Sequence, residues 1–241
     1  MSTQAGQHRP ETRKAELVFW EDHGGVAQYD LHLPTYQRLF PFHQIDFASC
    51  RVLDVGSGPI SVFERVSPAG AQVTAYDTLA TDYNRIAPDK KFRVLDTLDD
   101  GSFDLITLFN MLDHMDDPAS LLAFLEPRLD EHGRIWIFVH IDRPFSENEH
   151  PQKFRFWKLP PFLQQFFGIE NAGLAREGNF VYGWWGILRK RRDGAVTRLV
   201  KTVYFTAKAA MFYGWFHGRR AYGKLMKLAG LRAILPKELQ F

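Results

Sequence analysis

A short apolar run that carries an acid and then breaks into two glycines constrains this 241-residue chain more than any other segment. It reads Val52-Leu53-Asp54-Val55-Gly56-Ser57-Gly58-Pro59. Near-continuous hydrophobicity over so few residues fits a strand covered on both faces. The glycines behind it permit a tight turn whose backbone a ligand can approach closely, and Pro59 sits where a helix can begin. Asp77, with Thr78 beside it, closes the next apolar run 21 residues after Gly56. In a βαβ unit that separation sets a carboxylate beside a ribose bound over the first turn.

The same texture continues along the chain. Apolar runs at 51–55, 72–76, 91–95, 103–109 and 134–140 alternate with helical stretches, the pattern of a parallel α/β sheet. Asp117 as N-cap and Pro118 in the first turn predict a helix striped by Leu121, Leu122, Leu125 and Leu129, which Pro127 should end or kink early. A helical stretch over 160–167 precedes two candidate antiparallel strands, 170–176 and 180–188, turned at Gly178-Asn179. Before the sheet, helices are expected over 11–23 and 26–40. Cys50, the single cysteine, cannot close an internal disulfide and reads as a small residue leading into a strand.

The register of the glycine turn separates two kinds of nucleotide ligand. A dinucleotide fingerprint beginning at Gly56 requires glycine or alanine at position 61, where Ser61 stands. An acid as close as Asp54 would also repel phosphate, but suits an amino group or the turn's own amides. A nucleoside carrying an amino acid satisfies both observations; a diphosphate satisfies neither.

On these residues the chain resembles the class I S-adenosylmethionine (SAM)-dependent methyltransferases, in order from motif I to about Leu188. The resemblance implies that Asp54, Gly56, Ser57 and Gly58 wrap the amino-acid part of SAM and that Asp77 and Thr78 meet its ribose. It places Asp96, Thr97 and Leu98 at the adenine and Asn110 under the methionine part. Ile60, in place of a frequent third glycine, and Pro127, inside a stretch usually helical, depart from the family pattern.

In such a sheet ligands gather outside the carboxyl ends of the strands. That brings Asp113, His114, His140 and Asp142 towards a methyl acceptor, with His150 in the following loop able to fold over it. A histidine near neutral pH could take the proton of a hydroxyl acceptor. Each of these side chains has a plainer reading as a helix cap, a hydrogen-bonded strand end or a solvated loop residue. Two histidines and a carboxylate could also hold a divalent metal, although their spacing matches no firm motif. Trp20, Tyr29 and Tyr36 could form a lid or belong to the core.

Charge divides the chain unevenly. Its net +2 hides 13 Lys/Arg against two acids from Arg189 onward, while the first 188 residues carry 17 basic and 26 acidic side chains. Residues 199–216 are mostly apolar and aromatic, yet Lys201 and Lys208 interrupt them, which predicts an amphipathic or docking helix rather than a membrane span. Such a tail could meet nucleic acid, an anionic membrane surface, the acidic core or a second subunit. The sequence Asn110-Met111-Leu112-Asp113 lacks the N-P-P-aromatic motif of base-amino methyltransferases, which argues against nucleic acid.

The expected fold is a Rossmann-like, mostly parallel seven-stranded α/β sheet with helices on both faces and a basic helical C-terminal extension. The expected division is an N-terminal helical lid (1–48), a SAM-binding core (49–192) and the extension (193–241). The expected activity is methyl transfer from SAM to a hydroxyl of a small molecule, a sugar, glycan or lipid-linked precursor. RNA methylation and silent SAM binding by a partner protein are the alternatives, and a homodimer is possible. A polar first 16 residues, without a signal-like apolar run, predict a cytoplasmic protein, peripheral to the inner membrane face if the tail binds lipid.

Overall fold

The computed structural model describes residues 10–22, 27–141, 152–177 and 181–228. Seven strands form one sheet: β1 (Val52–Val55), β2 (Val73–Tyr76), β3 (Val94–Leu95), β4 (Phe103–Phe109), β5 (Leu129–Ile141), β6 (Phe167–Glu177) and β7 (Val181–Lys190). Their order is β3-β2-β1-β4-β5-β7-β6. The first five are parallel, and β7 pairs antiparallel with both β5 and β6. The order reverses between β1 and β4, so the carboxyl ends of those two strands flank the switch point where ligands bind in open α/β sheets.

Strand alternation distributes the core between the two faces. Along β5, Ile135, Ile137, Val139 and Ile141 join a cluster with Leu53, Ile106, Leu121 and Leu125. Trp136 and Phe138 face the other way, into a cluster with Tyr36, Phe40, Phe42 and Phe63. The first face is covered by α5 (Pro118–Leu125), α6 (Leu159–Leu163) and α7 (Ala195–Leu228). The second takes α2 (Ala27–Leu39) and the short α3 (Phe63–Val66); α1 (Pro10–Asp22) and α4 (Ala80–Ile86) contact each other.

Local signals predict several boundaries well. Asp117 caps α5 by accepting from the Ser120 N–H at 3.1 Å, Pro118 opens it, and the helix gives way at Leu125 to a 3-10 turn containing Pro127. Other boundaries move for tertiary reasons. The expected strand over 91–95 shrinks to two residues because the Lys91 and Phe92 amides bond the Glu64 carboxylate instead of a neighbouring strand (3.0 and 2.7 Å). β5 starts at Leu129, five residues early, because Leu129 pairs with Phe103 across an irregularity in the β4 ladder. The helix expected from Pro59 begins only at Phe63, where the Ser61 hydroxyl accepts from the Phe63 N–H at 3.2 Å. The turn expected at Gly178-Asn179 lies outside the described residues.

α7 is longer than the expected 199–216 helix, and one side of it belongs to the core. Phe205 and Ala209 are buried, Thr202 donates to the Gln164 side chain at 2.6 Å, and the Lys208 ammonium donates to the Ala172 carbonyl of β6 at 2.9 Å. Deletion from residue 193 would therefore strip this face of the sheet. Cys50 is half-buried, and its thiol is pushed up to about 11 by burial and by the Asp104 and Asp46 carboxylates, which leaves it little thiolate character near neutral pH. Phe205→Ala should lower unfolding stability by about 3–5 kcal/mol through the cavity it leaves. Val203→Ser, on the exposed side two residues away, should change it by less than about 0.5 kcal/mol. Urea unfolding of the two variants measures both effects.

Candidate active site

The turn after β1 is held from beneath by Asp54. This carboxylate is 3% exposed and accepts from the Thr107 hydroxyl at 2.6 Å, the Ser61 hydroxyl at 2.6 Å and the Val62 N–H at 3.3 Å. Thr107 is its register partner on β4, so the first bond ties two neighbouring strands and the others tie the loop to them. Burial raises the Asp54 carboxyl above the usual carboxylate range, while the three donors oppose that rise. Asp54 thus spends these lone pairs on tying β4 and the loop after the turn to β1.

Both turn glycines have left-handed backbones, with φ of 69° at Gly56 and 62° at Gly58. A Cβ at Gly56 would run into the Met111 side chain, and one at Gly58 would lie 3.1 Å from the Trp20 ring. Met111 and Trp20 therefore pack directly against the glycine backbone, in the space a larger residue would need. Asp77, at the end of β2, accepts from the Gly58 N–H at 3.3 Å and the Leu79 N–H at 3.0 Å. Burial above all, with added repulsion from Glu16 and Asp54, pushes its carboxyl up to about 7. Beside it the Thr78 hydroxyl is buried without a hydrogen-bond partner. Ser57 adjoins the turn with its hydroxyl on the Gly58 carbonyl (3.1 Å). Asp96 and Thr97 are exposed just beyond β3, and Leu98 packs against the core.

On the β4 side Asn110 holds φ at 53°, uncommon for a residue other than glycine. Its amide donates to the Tyr36 hydroxyl at 2.9 Å, and its side-chain oxygen is buried without a hydrogen-bond partner. Next come Asp113 and His140, 2% and 4% exposed, with Nδ1 and Oδ2 3.9 Å apart. That is ion-pair range, longer than a hydrogen bond. The His140 ring faces the His32 ring at 5.9 Å, and His32 stacks on Tyr36 at 6.0 Å. His114 points instead to α1, with Nδ1 3.6 Å from the Glu16 carboxylate. Glu16 also accepts from the Trp20 indole N–H at 2.8 Å and lies 3.5 Å from the Tyr83 hydroxyl. These contacts, joined where His114 follows Asp113 and Met111 follows Asn110 in the chain, link groups at the carboxyl ends of β1 and β4. They pass from Gly58 through Trp20, Glu16 and His114, and return through Asp113, His140, His32, Tyr36, Asn110 and Met111 to Gly56.

The structure thus brings together Asp54, Gly56, Gly58, Asp77, Asn110, Asp113, His114 and His140, with Thr78 beside Asp77. Asp142 and His150 lie outside the described residues, as does the Tyr29 side chain. Among the described residues no three His, Cys, Asp or Glu side chains gather as a metal set. Sequence reasoning missed Glu16 and His32. His32 stands four residues before Tyr36 on α2, a spacing that puts both on one helix face; Glu16 left no local signal at all.

A family described as "Methyltransferase domain" matches residues 27–235. The ubiquinone biosynthesis O-methyltransferase of Xanthomonas oryzae pv. oryzae is 33% identical over 132 residues, covering 49% of this chain and 54% of that protein. Its counterpart in Xanthomonas campestris pv. campestris is 30% identical over 152 residues, covering 56% and 63%. The chain therefore spans little more than half the length of the curated relatives it matches. Among solved structures, the plantazolicin methyltransferase BpumL in complex with SAH superposes with a TM-score of 0.54 at 16% identity, covering 76% of this chain and 91% of that one. A StiE O-MT structure gives 0.54 at 12% identity, covering 83% and 85%. At such identities the structural likeness concerns the fold. The family match is broader: it takes in the glycine turn, the acids at both strand ends and all seven strands, and the chain belongs with the methyltransferase-domain proteins, the class I SAM-dependent family that its sequence resembles.

Proposed function

We propose that this protein transfers a methyl group from SAM to a hydroxyl of a small molecule, with His140 and Asp113 serving the acceptor. The observation that carries the reading is the buried Asp113–His140 pair at the carboxyl ends of β4 and β5, linked through His32, Tyr36 and Asn110 to the glycine turn. The turn fits a nucleoside ligand: buried Thr78 and Asn110 oxygens beside it have hydrogen-bonding capacity to spare. Asp77 fits the ribose, since a buried carboxylate held near neutral pH gains from hydroxyl donors. SAM supplies an electrophilic methyl on a sulfonium. The protein's part is to align the acceptor and relieve it of its proton. His140, oriented by Asp113, takes the acceptor's hydroxyl proton, and the stacked His32, Tyr36 and Phe109 rings make this side of the site aromatic. α1, through Trp20 and Glu16, serves as the lid over the cofactor.

Of the acceptor classes expected from sequence, the lipid-linked one has the better support. The curated relatives are named for ubiquinone biosynthesis, and the walls here are aromatic, which suits a phenolic ring better than a polyhydroxylated sugar. Incubation with labelled SAM and a panel of isoprenyl catechols, oligosaccharides and RNA tests this. Methylation confined to oligosaccharide or RNA would refute the acceptor class.

Two further outcomes are expected. Asp77→Ala should weaken SAM binding by about 1.5–3 kcal/mol in calorimetry, through loss of charge-assisted hydrogen bonds. Because the folded Asp77 carboxyl lies above its unfolded value, the ligand-free protein holds this proton more tightly than the unfolded chain does. The group's contribution to stability is then greatest in acid and is lost as pH rises from about 4 to about 7. SAM, binding the carboxylate form, should release a proton near pH 6.5, and Asp77→Asn should abolish that release.

His140→Ala or Asp113→Asn should lower turnover by about a hundredfold to ten-thousandfold with SAM affinity nearly unchanged. Full turnover in single alanine variants of His32, His114, His140 and His150 would rule out a histidine base.

A further inference from the structure

α7 has two faces, and only one belongs to the core. Opposite Phe205 and Ala209, a stripe of apolar side chains looks outward at helical spacing. Val196, Leu199, Val200, Val203, Met211 and Trp215 are 56–77% exposed. Isolated exposed apolar residues mean little, but a continuous stripe along five turns of one helix marks an interaction surface. The 34-residue helix contains seven Lys/Arg and no acid, and four of those cations fall within its last ten residues. No helix among the described residues is long and apolar enough to cross a membrane. The face is thus suited to lying on a surface rather than passing through one.

A second copy of the chain is the rival occupant, and charge weighs against it. Lys201 is already paired with Asp193 and Lys208 is turned onto β6, but a two-fold contact along this stripe would join two helices with no acid between them to meet the four cations of each last ten residues. An acidic lipid surface supplies the missing countercharge and accepts apolar and indole side chains at headgroup depth.

We propose that the outward face of α7 docks this protein on an anionic bilayer surface. Trp157 is exposed, with the Arg155 guanidinium 5.3 Å from its ring centroid, and neighbours Phe156. The segment that carries it joins α7 to the candidate active site. Phe156 packs on Tyr213 of α7 at 5.2 Å, and the Gln152 N–H donates to the Asp113 carbonyl at 3.2 Å. A docked α7 therefore holds the acceptor side of the site close to the lipid, where an acceptor with a lipid tail resides; that last consequence rests on the acceptor class proposed above.

Vesicle co-sedimentation of the full-length protein tests the docking without any turnover measurement, so failure of the methyl-transfer reading would leave it standing. Binding should be strong on phosphatidylcholine vesicles carrying about 30% phosphatidylglycerol and weak on phosphatidylcholine alone. Raising salt from about 0.05 M to about 0.5 M should cut it roughly tenfold, as screening shortens the reach of the cations at the end of α7. The double variant Val203→Glu/Met211→Glu changes only exposed positions. It should keep the parent's melting temperature and bind such vesicles at least about tenfold more weakly. Three results would overturn the proposal. They are absence of binding to the anionic vesicles at low salt, equal binding by the folded double variant, and a lipid-indifferent dimer that the double variant converts to monomer in sedimentation equilibrium.

Discussion

The buried Asp54 carboxylate organises this protein. Burying such a group costs several kcal/mol unless donors surround it. Here two hydroxyls and an amide do so, and they come from two parts of the site: Thr107 from β4, Ser61 and Val62 from the loop that leads into α3. The carboxylate therefore cannot be satisfied unless β1 and β4 are in register and the glycine turn is closed. Gly56 and Gly58 can then adopt their left-handed backbones, Met111 and Trp20 can close on them from either side, and Asp77 can reach the Gly58 amide.

Around that clamp the two N-terminal helices supply what the sheet lacks. β4 and β5 end with Asn110, Asp113 and His140, but a sheet edge alone leaves such groups open to water. α2 brings His32 and Tyr36 over them, and α1 brings Trp20 and Glu16 over the turn. Glu16 adds repulsion to an Asp77 already raised by burial, so the same helix that closes the site also holds its carboxyl near neutral pH. Closing helices and poised titrating group are consequences of one packing arrangement.

α7 shows a division of labour within a single element. Its inner face completes the sheet's core next to β6, and its outer face keeps an apolar stripe. A helix whose only purpose was folding would not keep valine, leucine and tryptophan in water along five turns. The inner face packs into the core, and Tyr213 joins the helix to the segment that leads to Asp113.

Much of the architecture was legible in the residues themselves. The seven strands, the Asp117 cap, the break at Pro127 and the glycine turn all follow from periodicity and turn chemistry acting over a few neighbouring residues. The family likeness followed from motifs of the same short range. What the sequence could not determine lies in contacts between distant segments. Glu16 meets Tyr83 across 67 positions, Tyr36 meets Asn110 across 74, and Glu64 takes the amides that would have lengthened β3. Nor could periodicity say whether Asp54 would face a ligand or the interior, or which side of α7 would stay in water. The physical reason is common to all of these. A side chain's spacing decides which face of its own helix or strand it occupies, but only the packing of whole elements decides what that face will meet.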